Sequence, residues 1–212
     1  MKSTSHAGFW MAMALVLVLL IPVFRPAQAI HLSLEQEYGA VSSVFGPRIG
    51  NVILGAADAT YDVFAGSEAG KLTAKAMHSE ADMKLAEKAF NAPGRLAGEV
   101  GNRYISALLM QVYSVSLRVY VVMAWLLLLL PFLGAAFVDG IAQRTIKMSS
   151  FGYQNPTAFS LGSHLLILIC VAPLAYIVMP WAVSPLFMPA WAVVAAVPMC
   201  LAISHMQPVF TR

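Results

Sequence analysis

Apolar residues run through this chain in two rhythms. Over 8–24, 117–138, 161–180 and 186–205 they are nearly continuous, and the second stretch holds the unbroken run Leu126-Leu127-Leu128-Leu129-Leu130. A helix rises ~1.5 Å per residue, so about 20 apolar residues cover the ~30 Å hydrocarbon layer of a bilayer. Only a structure that satisfies its own backbone polar groups is stable there, which selects helices for runs of this kind. The pattern predicts an all-α membrane protein with about four transmembrane helices.

Between the first and second runs the rhythm changes to every third or fourth residue. Ile49, Val52, Ile53, Ala56, Ala57, Tyr61 and Phe64 share one face, with Asp58 and Asp62 opposite, so 49–65 reads as an amphipathic helix. Gly66-Ser67-Glu68-Ala69-Gly70 breaks it, and 71–90 resumes with strong helix formers as a more polar, exposed helix. Asn91-Ala92-Pro93-Gly94 closes that helix and opens the next, since proline suits a first helical turn. Ile105, Leu108, Leu109 and Val112 then carry a stripe without a breaker into the second apolar run, where Pro131 predicts a kink. A polar and aromatic loop near 139–160 is expected to follow. The last two spans are separated only by 181–185, which predicts an antiparallel hairpin with Trp181 as an interfacial anchor. Small residues at Gly98, Gly101, Ala172, Ala175, Ala192 and Ala196 suit close helix packing.

Three regions result: 1–29, a signal anchor or signal peptide with Ala27-Gln28-Ala29 as the small-x-small cleavage option; 30–116, a helical extramembranous region; and 117–212, a three-helix transmembrane domain. Lys2, Arg144, Lys147 and Arg212 flank the spans on one side, against Arg25 and Arg118 on the other. The excess of basic residues places the first side in the cytoplasm and 30–116 in the periplasm of a bacterial inner membrane.

Composition agrees: 59% of residues are hydrophobic and 11% charged, outside the range of ordinary soluble domains. The net charge of +3 is divided among compartments and offers no basic face for nucleic acid. Both cysteines, Cys170 and Cys200, fall inside spans and are expected to be buried, reduced thiols.

No reactive constellation stands out. Intramembrane aspartyl proteolysis needs two facing carboxylates, and Asp139 is the one acid near a span. His78-Ser79-Glu80 lacks the second histidine of a zinc protease, and Gly94, Gly98 and Gly101 follow no strand. His164, one turn inside its span, is expected to reach water or a carbonyl. No catalytic, metal or cofactor residue is expected, and Pro131, Pro173, Pro189 and Pro198 are read as shaping the bundle.

Phe137-Val138-Asp139-Gly140, the basic Arg144 and Lys147, an aromatic-serine stretch and a hairpin closing on Met206-Gln207-Pro208-Val209-Phe210 form a recognisable order. Over 91–212 it resembles an uncharacterised integral membrane protein family of conjugative plasmids and integrating conjugative elements, encoded beside type IV secretion genes. The resemblance implies a role in conjugative transfer. The resulting expectation is a non-enzymatic inner-membrane component or assembly factor of a conjugative type IV secretion apparatus, acting through helix-mediated contacts. An entry-exclusion or immunity-type protein is the alternative, ahead of a transporter or channel subunit. Expected partners are membrane lipids, other inner-membrane or periplasmic secretion components, or a second copy of the chain, with no direct nucleic acid. The expected contact residues are Asp139, Gly140, Arg144 and Lys147 at the junction, and Ile53, Tyr61 and Phe64 on the stripe.

Overall fold

The computed structural model describes residues 4–150, 152 and 155–206; Lys2, Arg212 and the 207–210 end of the closing hairpin lie outside them. The described residues form helices α1 (Thr4–Phe24), α2 (Ala27–Gly66), α3 (Glu68–Lys75), α4 (Glu80–Phe90), α5 (Ala92–Ser149), α6 (Pro156–Cys170), α7 (Ala172–Val178) and α8 (Phe187–Ser204), with no strand among them. Three helical stretches are long and apolar enough to cross a membrane: α5, Pro156–Val178 and α8. A fourth is available if Gly8–Phe24 and α2, bent by 115°, count as one span. The fold is all-α, as the two rhythms predict.

Four local features depart from the sequence expectation. Helix begins at Ala27, well before residue 49, because Pro26 ends α1 and opens α2. Within α2, Gly46 adopts φ 76° and divides it into arms 27–45 and 47–66. The arms fold back so tightly that a Cβ on Gly50 would lie 3.2 Å from Ser42 Cα. In a straight helix those residues stand about 12 Å apart. The 71–90 segment is also two helices. Ser79 and Asp82 form a capping box, with Ser79 Oγ accepting from Asp82 N (3.2 Å) and Asp82 Oδ2 accepting from Ser79 N (3.0 Å). Asn102 of α5 holds the break open, accepting from His78 N at 2.7 Å and donating to His78 O at 2.8 Å. Finally, α5 runs on through Pro131 to Ser149, so Asp139, Gly140, Arg144 and Lys147 sit on a helix and not in a loop.

The capping box has a pH signature. Hydrogen bonds from the Ser79 side chain and backbone hold the Asp82 carboxyl below its ordinary value. A lowered folded-state pKa favours the folded form above the unfolded pKa of about 4, and that preference is lost as pH falls through the folded value. Amide protection factors in α4, corrected for the intrinsic pH dependence of exchange, are expected to fall below about pH 4, and Asp82→Asn to remove the pH step. An unchanged step in the variant would show that another group sets it.

The helices divide into two compact units. The first comprises 1–121 with 176–185, the second 122–175 with 186–212, and α5 contributes its first part to one and its remainder to the other. In the first unit Ile30, Leu34 and Val41 from one arm of α2, Ile53 and Ala57 from the other, Ala107, Leu117 and Val121 of α5, and Tyr176 and Val178 of α7 are buried. Ile49 and Val52 instead point outward, 49% and 71% exposed, so the 49–65 stripe is narrower than its periodicity suggests.

The second unit packs α6 on α8 through small residues. Ala192, Ala195 and Ala202 are buried, and a Cβ on Gly162 would meet Ala202 N at 2.9 Å and Pro198 O at 3.1 Å. Pro173 has no N–H to offer Ile169 O, its partner in an unbroken helix. Trp191 Nε1 donates to that carbonyl at 2.8 Å, so α8 repairs the break between α6 and α7. Both cysteines are free, but Cys170 is exposed on the protein surface and Cys200 half-buried; neither is enclosed by protein.

Candidate functional site

The first unit is built around one arginine. Arg118 lies on the buried stripe of α5, flanked by Ala107, Gln111, Ser114, Leu117 and Val121, and its side chain is 1% exposed. Glu37, 4% exposed, occupies the matching gap between Leu34 and Val41 on α2. Arg118 Nε donates to both Glu37 carboxylate oxygens at 3.1 Å, and Nη2 donates to Oε1 at 2.5 Å. The remaining donors reach the chain around the end of α7: Nη1 bonds Tyr176 O at 3.2 Å and also Met179 O, and Nη2 bonds Trp181 O at 2.8 Å. All five guanidinium N–H groups are therefore used. Glu37 Oε1 in turn accepts from Val183 N at 3.3 Å.

This arrangement caps a helix end. The last carbonyls of a helix lack intrahelical donors and carry its negative dipole end, which favours a cation. Gln111 Nε2 adds a bond to Val178 O at 3.3 Å, and Arg25 Nη1 bonds Pro180 O. Carbonyls 176, 178, 179, 180 and 181 all take donors from α5 or from the α1–α2 bend. Gln111 Oε1 is buried without a partner.

A second polar layer lies alongside. Tyr38 OH donates to Tyr113 OH, which donates to Asp58 Oδ1 at 2.5 Å. Tyr61 meets Tyr113 edge to face at 5.5 Å between ring centres, and Phe64 stands 6.4 Å from Tyr61. A cavity of about 230 Å³ opens beside Leu34, Tyr38, Tyr61 and Tyr113. Tyr61 and Phe64 are thus half-buried within their own unit, and Ile53 is 5% exposed inside its core.

In the second unit the junction residues separate by role. Gly140 is buried, and a Cβ there would lie 3.0 Å from Ile203 Cβ and 3.4 Å from Cys200 Cα, so it serves the contact of α5 with α8. Asp139 accepts at Oδ2 from Gln143 Nε2 (2.7 Å) and Cys200 Sγ (3.2 Å). Lys147 Nζ stands 3.0 Å from His205 Nε2. Arg144 is half-buried, with a buried Nε lacking a hydrogen bond. His164 Nδ1 lies 2.7 Å from Ser160 O, the local carbonyl its position called for.

Sequence reading missed the Glu37–Arg118 pair. Arg118 counted only as a basic residue flanking a span, yet an arginine on the apolar stripe of a helix about to enter lipid asks for a partner. Glu37 gave the matching signal, as the one acid on the 30-34-37-41 face.

A family model described as "IncC plasmid conjugative DNA transfer protein DtrJ-like" matches residues 31–211. The chain belongs to the DtrJ-like family. No curated protein and no solved structure matches it. The DtrJ-like match reaches back beyond residue 91, where the resemblance read from the sequence began, and takes in α2–α4 together with both members of the buried pair. It supports a conjugative plasmid family for this chain.

Proposed function

We propose that this DtrJ-like chain is a non-enzymatic inner-membrane component or assembly factor of a conjugative type IV secretion apparatus. In this reading 1–29 is a signal anchor or signal peptide, 30–116 a helical periplasmic region, and 117–212 a three-helix transmembrane domain. The observation that carries the role is membership of a conjugative DNA transfer family by a chain with three or four span-length apolar helices. The bonds from Glu37, Arg118 and Arg25 to the 176–183 segment support the topology. Two crossings, α5 toward the cytoplasm and Pro156–Val178 returning, bring that segment back to the side of the membrane that holds 30–116. Contacts with secretion proteins then fall to exposed or half-exposed groups: Asp139, Arg144 and Lys147 on one side, Tyr61 and Phe64 on the other.

Donor cells lacking the gene are expected to lose plasmid transfer by orders of magnitude, with recovery from a plasmid-borne copy. Asp139→Ala combined with Arg144→Ala is expected to lower mating frequency while the protein stays membrane-inserted at normal abundance. Co-purification from gently solubilised donor membranes should bring secretion components. Normal transfer from the deletion strain, together with reduced uptake by recipients expressing the chain, would replace this reading with entry exclusion.

A further inference from the structure

Where α5 and α8 end in the second unit they enclose a groove of about 480 Å³ with two chemically distinct zones. Ala136, Ala196 and Val197 line one zone, and Asp139, Gln143, Lys147, Ser204 and His205 the other. The apolar zone lies within the α8 span, and the polar zone gathers where that helix stops at Ser204. Val197 is 69% exposed, so protein does not roof the apolar zone. An amphiphile with its tail in lipid and its head at the boundary matches this division.

The polar groups specify the head. His205 Nδ1 accepts from Asn155 N at 3.1 Å, and a neutral imidazole accepts at one nitrogen only. Its Nε2 therefore carries a proton that faces Lys147 Nζ at 3.0 Å. Two donors meet there without an acceptor between them, and a phosphate oxygen satisfies both. At the other end, Asp139 receives both of its hydrogen bonds on Oδ2, and its Oδ1 has none among the described residues. A free carboxylate oxygen suits an N–H cation.

We propose that this groove binds phosphatidylethanolamine, with its phosphate between Lys147 and His205, its primary ammonium on Asp139 and one acyl chain along Ala136, Ala196 and Val197. The charge order excludes the commoner alternatives. Phosphatidylglycerol would leave the Asp139 carboxylate beside an anion without its cation, and the trimethylammonium of phosphatidylcholine has no N–H to donate. Lys147 stands two turns beyond Asp139 on α5, about 12 Å along the axis, and helical side chains slant toward the N-terminus, so the two charges of an ethanolamine phosphate fit the order in which the groove presents their partners.

The inference rests on the reading of α5 and α8 as membrane helices but not on the secretion role. Its test uses the full chain purified in detergent, offered phosphatidylethanolamine, phosphatidylcholine and phosphatidylglycerol at equal concentration, with retained lipid counted by native mass spectrometry. The wild-type chain should retain phosphatidylethanolamine about tenfold over either competitor, the size expected of one charge-assisted hydrogen bond. Asp139→Asn should erase the preference over phosphatidylcholine, and Lys147→Gln should weaken all three lipids. Equal retention of phosphatidylethanolamine and phosphatidylcholine by the wild-type chain means annular lipid only and overturns the site without recourse to any variant. A preference that survives Asp139→Asn overturns it as well. Release of the chain from membranes by alkaline carbonate would instead refute the membrane reading, and unimpaired mating of a deletion strain the secretion role.

Discussion

Arg118→Met is expected to lower the unfolding free energy of the detergent-solubilised chain by about 3–5 kcal/mol, the cost of leaving a buried charge without its partner. Stabilities of ordinary domains are about 5–15 kcal/mol, so a loss of this size is severe. The substitution does two kinds of damage. Glu37 keeps only the Val183 N–H, and the carbonyls of Tyr176, Met179 and Trp181 lose their donor. Glu37→Met does one, because Arg118 retains all three carbonyls around its charge. Arg118→Met should therefore be the more damaging single change in thermal melts. The double variant should recover the ionic part of that loss but not the part that comes from carbonyls deprived of the guanidinium N–H groups. Equal losses from the two single variants would mean that the capping bonds contribute nothing.

The second large effect belongs to Gly162. Both atoms that a Cβ would strike, Ala202 N at 2.9 Å and Pro198 O at 3.1 Å, are backbone, so no side-chain rotation relieves the clash. Gly162→Val should force α6 from α8 and lower stability by about 1–3 kcal/mol, the usual range for overpacking. Gly134 supplies the control, since nothing lies within 4 Å of a Cβ there. Gly134→Ala should be neutral, or stabilising by up to about 1 kcal/mol through helix propensity. Matching melting temperatures for the two variants would show that the α6–α8 contact does not limit stability.

Much of the fold was legible because hydrophobic spacing is local. The apolar runs marked the helices long and apolar enough to cross a membrane, and the stripe through Ile105 and Val112 carried α5 into the second run. Pattern reading failed where a few particular bonds override propensity. Helix formers over 71–90 gave no hint of a break that the Ser79–Asp82 box and Asn102 impose. Polar composition after Val138 suggested a loop, although nothing in 139–149 stops a helix. The site was harder to read. Glu37 and Arg118 are 81 residues apart, and no periodicity connects them. Gly140, chosen for its place in a short motif, faces Ile203 on a helix that local sequence cannot bring near. Asp139 and Lys147 stand in the same groove, yet His205, which gives Lys147 its meaning, waits at the far end of α8.

Synthesis from the N-terminus gives the capping of α7 a temporal side. When Arg118 leaves the ribosome, Glu37 already exists, whereas Tyr176, Met179 and Trp181 have yet to be translated. The guanidinium of the first unit is therefore made before the carbonyls at 176, 179 and 181 that accept its N–H groups. Three of the five guanidinium N–H groups thus find their carbonyl partners in the part of the chain made last.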